Sequence, residues 1–319
     1  MVSEFEFINN IRSKFSLDRI GDDCAILPKD ALTDMLLTSD MLVEDIDFRL
    51  EWTTPEFLGH KALAVSLSDI AAMGGIPAFS LISIAVPEHL WKTDLLDRLY
   101  EGWHALAKQH NVELVGGDIS KTEGKFVIDS TVIGEVPKGE AILRSGAKPG
   151  DSIFVSGYIG GASAGLLRLE SGARFDETLP APLKHLLFRQ LQPLPQVKTA
   201  ILLRQHGLTS AMMDLSDGLS SDLGHLIDAS RVGCRIDIDK LPIDPAITFL
   251  ALPEKHRLDL ALNGGEDFEL LFTVRQENFW AVQDLGFHRI GEVTTNAGSV
   301  ELVADGKTSI LEPKGFRHF

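Results

Sequence analysis

Apolar positions recur at two periods along this chain of 319 residues, and the switches between those periods predict its elements. Phe7, Ile8, Ile11 and Phe15 fall at helical spacing and predict an amphipathic opening helix. Short apolar runs over 24–27 and 35–39 predict strands. Thr54-Pro55 supplies an N-cap followed by proline at the first helical position, opening a helix through Leu58, Ala62, Val65 and Ile70 that stops at Gly74-Gly75. A strand over 79–86 follows. Residues 93–109 predict a helix with Leu95, Leu96, Leu99, Trp103 and Leu106 on one face, and 113–115 and 126–136 predict two more strands.

Gly, Pro and Lys concentrate over 136–151 while apolar residues thin out, which divides the chain into expected domains at 1–138 and 139–319. Beyond the divide a strand is expected over 152–156, then a Gly-rich turn running into a helix over 158–168. Pro180, Pro182, Pro193 and Pro195 punctuate a second helical region, and strands recur at Met212, 235–238, 268–274 and near Ile290. Neither half alternates strand and helix strictly, so α+β fits as well as α/β.

Composition narrows the function. The formal charge of −16 argues against a nucleic-acid partner, which calls for a basic surface. No apolar run approaches the roughly 20 residues that span a bilayer, and the charged, amphipathic start is unlike a signal peptide, so a cytoplasmic enzyme without membrane attachment is expected. With Cys24 and Cys234 alone, no disulfide framework or all-cysteine zinc site is available, and both read as packed thiols. His60, His104, His110 and His225 lack metal-ligand spacing and read as surface or capping residues.

The carboxylates carry the chemistry. Five segments set aspartate in Gly-, Ser- or Thr-rich surroundings beside apolar runs: Gly21-Asp22-Asp23, Thr38-Ser39-Asp40, Ser68-Asp69, Gly116-Gly117-Asp118 and Asp214-Leu215-Ser216-Asp217-Gly218. Read as loops over the ends of buried strands, they would bring several acids together, an arrangement that is costly unless a cation neutralises it. Hard divalent ions prefer such oxygen ligands and commonly hold phosphates. Of Asp22 and Asp23, one is expected to face the site, since alternate side chains in extended backbone point opposite ways. Gly264-Gly265-Glu266-Asp267 adds acids that join either the cluster or another part of a substrate. Walker A and EF-hand patterns are absent, and Gly157-Tyr158-Ile159-Gly160-Gly161 reads as a tight turn into a helix before it reads as an anion site.

In this order the segments become recognisable. Together with Lys61-Ala62-Leu63-Ala64-Val65-Ser66-Leu67-Ser68-Asp69-Ile70-Ala71-Ala72-Met73-Gly74, Arg144-Ser145-Gly146-Ala147-Lys148-Pro149-Gly150-Asp151, Gly264-Gly265-Glu266-Asp267-Phe268-Glu269-Leu270 and the final Lys314-Gly315-Phe316-Arg317-His318-Phe319, the chain resembles the thiamine-monophosphate kinases along nearly its whole length. The resemblance implies the aminoimidazole-ribonucleotide-synthetase-like architecture: an N-terminal α/β domain that dimerises through its sheet, and a C-terminal α+β domain. It implies magnesium-dependent transfer of phosphate from ATP to thiamine monophosphate, giving ADP and thiamine diphosphate. By resemblance, metal ligands fall at Asp23, Thr38, Ser39, Asp40, Asp69, Asp118, Asp214 and Asp217, and nucleotide contacts at Gly117, Asp118, Arg144 and Ser216. Thiamine contacts fall at Asp47, Glu266 and Phe316, although many relatives carry histidine where this chain has Asp47. Asp118, Asp217 and Arg144 are the expected catalytic set. Selenophosphate synthetase and the hydrogenase-maturation relative are disfavoured for want of their reactive cysteines. Aminoimidazole ribonucleotide synthetase, or a silent nucleotide- or thiamine-binding protein, is the alternative.

Overall fold

In a computed structural model that describes residues 4–17, 19–312 and 314–316, the chain builds two sheets that share one buried helix. The first half runs α1 (Glu4–Phe15), β1 (Ala25–Pro28), β2 (Thr33–Val43), α2 (Pro55–Ala72), β3 (Ile76–Pro87), α3 (Glu88–Trp91), α4 (Leu95–His110), β4 (Glu113–Thr122) and β5 (Val127–Pro137). Its strands lie in the order β1-β2-β5-β3-β4, antiparallel except for β3 beside β4. That parallel pair needs a crossover, and α4 supplies it.

Alternation along the strands decides which face packs. Leu36 and Leu42 of β2, Ile128 and Val132 of β5, and Ile82, Ile84 and Val86 of β3 bury against Leu63, Leu67, Leu99, Trp103 and Leu106 of α2 and α4. Leu37, Leu81 and Ile133 occupy the opposite face, stay half-exposed and lie outside that core. β4 departs from the expectation of a buried strand: Val115 is 51% and Ile119 44% exposed. It is an edge strand on a sheet covered on one side, so an apolar run did not mean burial here.

The second half runs β6 (Ser152–Val155), α5 (Gly161–Glu170), α6 (Ala181–Leu191), α7 (Val197–Gln205), β7 (Ala211–Asp214), α8 (Leu219–Ser230), β8 (Gly233–Asp237), α9 (Glu254–Asn263), β9 (Leu270–Val274), α10 (Phe279–Asp284), β10 (His288–Thr294), β11 (Val300–Ala304) and β12 (Lys307–Ile310). The strand order is β12-β11-β8-β10-β6-β9-β7, with β8 and β11 the parallel pair. β6, β7 and β9 are buried on both faces, as their unbroken apolar runs require. Both halves therefore carry mixed sheets with helices, an α+β architecture of two sheets. Among the described residues no helix is long and apolar enough to cross a membrane. Residues 317–319 of the last motif lie outside the described residues.

α2 is the shared element. Thr54 caps it by accepting the Phe57 N–H at 3.2 Å, and Pro55 occupies its first turn, as the sequence predicts. It is apolar nearly all round, which marks a helix buried on every side. Leu63 and Leu67 face the first sheet, while Ala71 packs with Phe154, Met212 and Phe272 of the second. Gly59 and Gly102 let α2 and α4 touch backbone to backbone. A Cβ on Gly59 would lie 1.9 Å from the Leu99 carbonyl oxygen, and one on Gly102 1.9 Å from that of Glu56.

Candidate active site

Three carboxylates converge where α2 meets both sheets. Asp23 leads into β1, Asp69 sits on α2 and Asp214 ends β7, and one oxygen from each lies within 4.8 Å of the others. Small hydroxyls hold two of them: Thr38 Oγ1 donates to Asp69 at 2.5 Å and Ser68 Oγ to Asp214 at 2.5 Å. Ser66 Oγ donates to neighbouring Asp40 at 2.7 Å. Arg144 pairs with Asp23 through Nε at 3.1 Å and through its terminal nitrogen. Of Asp22 and Asp23, only Asp23 joins the triad; Asp22 accepts the Arg144 backbone N–H at 2.8 Å.

The cluster is under electrostatic tension. Burial pushes the Asp214 carboxyl up to about 7 and Asp40 to about 6, and neighbouring carboxylates add to the rise. Asp69 is raised well above the ordinary range by burial and then by Asp40, Asp214 and Asp23. Burial alone would lower Arg144, but the Asp23 carboxylate holds its guanidinium firmly charged. Asp23 Oδ2 is buried without a hydrogen-bond partner. An all-oxygen donor set with an orphaned buried carboxylate oxygen fits a hard divalent cation such as Mg²⁺.

These acids sit on different scaffolds from those the sequence suggests. Thr38, Ser39 and Asp40 lie inside β2, Asp69 lies within a helix, and Gly116, Gly117 and Asp118 lie inside β4. Glycine is required at 117, where φ is +151° and a Cβ would meet the Ile82 carbonyl oxygen at 1.8 Å. Asp118 and Ser39 share the open face, yet two strands separate β4 from β2, so they stand about 14 Å apart across the sheet. Within one chain Asp118 and Gly117 stay outside the triad. Ser39 instead bonds Asp129 at 3.1 Å.

A cavity of about 430 Å³ opens beside the cluster, between the two halves. Asp40, Asp47, Ser216, Asp217, Glu266 and Phe316 all line it. Backbone pairing builds its far wall: Glu266 N–H donates to Ser216 O at 2.8 Å, Phe268 N–H to Leu215 O at 2.9 Å and Phe316 N–H to Asp217 O at 3.0 Å. Glu266 and Phe268 both adopt left-handed backbone (φ +68° and +50°), a costly conformation for such residues that concentrates at functional sites. Asp47 Oδ2 accepts the Val43 N–H at 2.8 Å. Asp267 turns away and caps α5, accepting the N–H groups of Gly160 at 2.5 Å and Ala162 at 3.0 Å. Its carboxylate thus fills the helix N-terminus after the 157–161 turn.

Sequence reasoning missed part of the wall. Lys61, Trp52 and Gln190 line the cavity, and Ser66 and Ser68 orient the acids. Of these, only Ser66 and Ser68 carried a signal, their spacing beside Asp69 on one helix. His60, read as a surface or capping residue, is buried and bonds Pro193 O at 2.7 Å; burial holds its pKa below the usual value. Both cysteines are buried, and burial pushes Cys234 up to about 12.

Fold and carboxylate site define a protein of the AIR synthase related class. Models of the N-terminal and C-terminal domains of AIR synthase related proteins match residues 21–136 and 148–303. Within that class the chain belongs to the thiamine-monophosphate kinase family. It is 39% identical to the thiamine-monophosphate kinase of Bacillus subtilis (strain 168), covering 100% of each chain. It is 38% identical to that of Escherichia coli (strain K12), covering 94% of this chain and 91% of the relative. A solved structure described as AaThiL complexed with AMPPCP and TMP superposes with a TM-score of 0.88 at 35% identity, over 100% of this chain and 97% of that one.

Proposed function

We propose that the chain transfers the γ-phosphoryl group of ATP to the phosphate of thiamine monophosphate, giving ADP and thiamine diphosphate. The observation that carries this reading is the continuity of an aromatic-walled cavity (Trp52, Phe268, Phe316) with a carboxylate cluster at Asp40 and Asp217. One end suits a flat heterocycle and the other a metal-bound phosphate. The relatives' printed names and the AMPPCP and TMP of the aligned structure support the same pair of substrates.

Direct in-line transfer to the acceptor phosphate calls for no phosphoenzyme. A phosphate monoester, with its second pKa near 6, is largely dianionic at neutral pH and needs no general base. The difficulty is repulsion between two polyanions, and a bound Mg²⁺ would supply the positive charge that offsets it. Asp23, Asp69 and Asp214 would hold the metal, with Thr38, Asp40 and Asp217 on the same side, while Ser39 faces Asp129 on the open side of the sheet. Arg144 has the fork geometry to take phosphate oxygens, and Gly117, Asp118 and Ser216 are assigned to the nucleotide. Glu266 and Asp47 face the cationic ring, and Phe316 stacks on it.

Asp118 bears on the oligomer. Its separation from the triad, with the half-exposed Leu37, Leu81 and Ile133 and the open β4 edge, supports a homodimer formed through the first sheet. Residence in the cytoplasm accords with a biosynthetic role.

A coupled ADP-release assay on the purified chain tests the assignment. ADP should appear only when thiamine monophosphate and Mg²⁺ are both present. ADP release with aminoimidazole precursors instead, or with no acceptor at all, would overturn it.

A further inference from the structure

We propose that Lys61 is a substrate-phosphate-binding residue, paired with Glu266 in the cavity wall; this rests on the kinase reading above. Lys61 Nζ lies 2.6 Å from Glu266 Oε1, and its side chain is 5% exposed. Gln190 Nε2 binds the second Glu266 oxygen, and Gln190 Oε1 beside it is buried without a partner. The three side chains come from α2, α6 and the 264–267 loop, so the ion pair joins the two halves of the protein at the cavity wall.

Stability does not account for such a pair. Desolvating a lysine costs more than one partner returns, and apolar replacements of buried pairs are often neutral or stabilising. Among the described residues Lys61 is the buried lysine, and it sits in the wall of a cavity. The cavity's other cations are solvated: Arg49 stacks on Trp52 with its side chain 46% exposed, and Lys314 is exposed. A desolvated ammonium binds a phosphate far more strongly than a screened one.

The substrate carries the same two charges as the pair, a cationic ring and an anionic phosphate. Lys61 and Glu266 therefore neutralise each other until a zwitterion of matching polarity enters. Glu266 then faces the ring and Lys61 the phosphate. Lys61 lies two helical turns, about 12 Å, before Asp69 on one rigid helix. Asp40 of the cluster and Lys61 line the same cavity, so an acceptor phosphate held between them would lie at the metal end.

Calorimetric titration of wild type, Lys61→Met, Lys61→Arg and Lys61→Met/Glu266→Gln with thiamine monophosphate and with thiamine, in Mg²⁺, tests this. Lys61→Met should weaken thiamine monophosphate at least tenfold while thiamine binds as in wild type or tighter, because Glu266 is released. Lys61→Arg should restore part of the loss. The double variant, with no charge left unpaired, should fold and show the preference for thiamine monophosphate over thiamine cut at least tenfold from wild type; a wild-type preference there overturns the proposal. So does an equal loss for both ligands in Lys61→Met, which would make Lys61 a prop for Glu266, and so does no loss for either. Wild type that binds neither ligand would instead sink the kinase reading itself.

Discussion

Ser68 on α2 donates its hydroxyl hydrogen to Asp214 at the end of β7, 2.5 Å away across the junction of the two sheets. The same helix carries Asp69 one residue on and Ser66 two residues before, so one element from the first half sets the geometry of a ligand from the second. Ser68→Ala leaves a buried carboxylate without that donor. It should lower stability by about 1–3 kcal/mol in urea unfolding and raise the Mg²⁺ concentration needed for half-maximal turnover.

Neutralising the acids should separate activity from folding. Asp69→Asn, Asp214→Asn, Asp217→Asn and Asp118→Asn should each cut turnover by a factor on the order of 10² or more, by analogy with other losses of charge stabilisation. Asp69→Asn and Asp214→Asn should also raise the melting temperature of the metal-free protein, since they remove repulsion within the triad. Near-normal turnover at limiting Mg²⁺ in these variants would remove the cluster from the chemistry.

Burial raises Asp40 to about 6 and Asp214 to about 7, above their unfolded values near 3.9. A carboxyl raised in the folded state stabilises while protonated, so this contribution is whole below about pH 4 and is lost as pH climbs through 6 to 7. Metal-free protein should therefore melt at falling temperatures between pH 5 and 8. Mg²⁺ should restore the melting temperature at pH 8 and do little at pH 5. Scanning fluorimetry with and without the ion checks both arms, and equal stabilisation at the two pH values would contradict the assignment.

How much of this could be read beforehand depends on what each residue's neighbours decide. Helices and strands with strong periods were legible, α2 down to its Thr54 cap, because capping and proline chemistry are local. The β11–β12 hairpin went unread although its signal is local: Val300 and Leu302 alternate inward around Glu301, and Asp305-Gly306 stands at the turn. The acids were legible as types but not as places: Thr38-Ser39-Asp40 resembles a turn, yet the ladder to β5 keeps it extended. Lys61 was invisible as a cavity residue, because its partner Glu266 lies 205 positions away in sequence.

The exposed face of the first sheet should be an interface. Light scattering at micromolar concentration should give twice the chain mass. Leu81→Lys or Ile133→Asp, at half-exposed positions opposite the helices, should shift the mass toward monomer and reduce turnover if Asp118 acts across the interface. A wild-type monomer at that concentration would end the dimer proposal.

Phe316 is 48% exposed in the cavity wall and is tied down through its N–H to Asp217 O. Phe316→Ala should raise the KM for thiamine monophosphate several-fold, equivalent to about 1 kcal/mol of lost stacking, and leave the KM for ATP unchanged. Glu266→Gln should show the same selectivity. Equal effects on both substrates would make the tail structural.

The seam where Gly59 meets Leu99 and Gly102 meets Glu56 sets the site's tolerance. Asp69 stands ten residues, about 15 Å, farther along the same rod, and a helix that is pushed sideways moves as a whole. One added methyl at either glycine would displace it by an ångström or so, a shift that alone can cost a hundredfold in rate. Alanine, the gentlest change available to most helices, is here a misalignment, and the smallest side chain in the protein acts as the gauge to which the metal ligands are set.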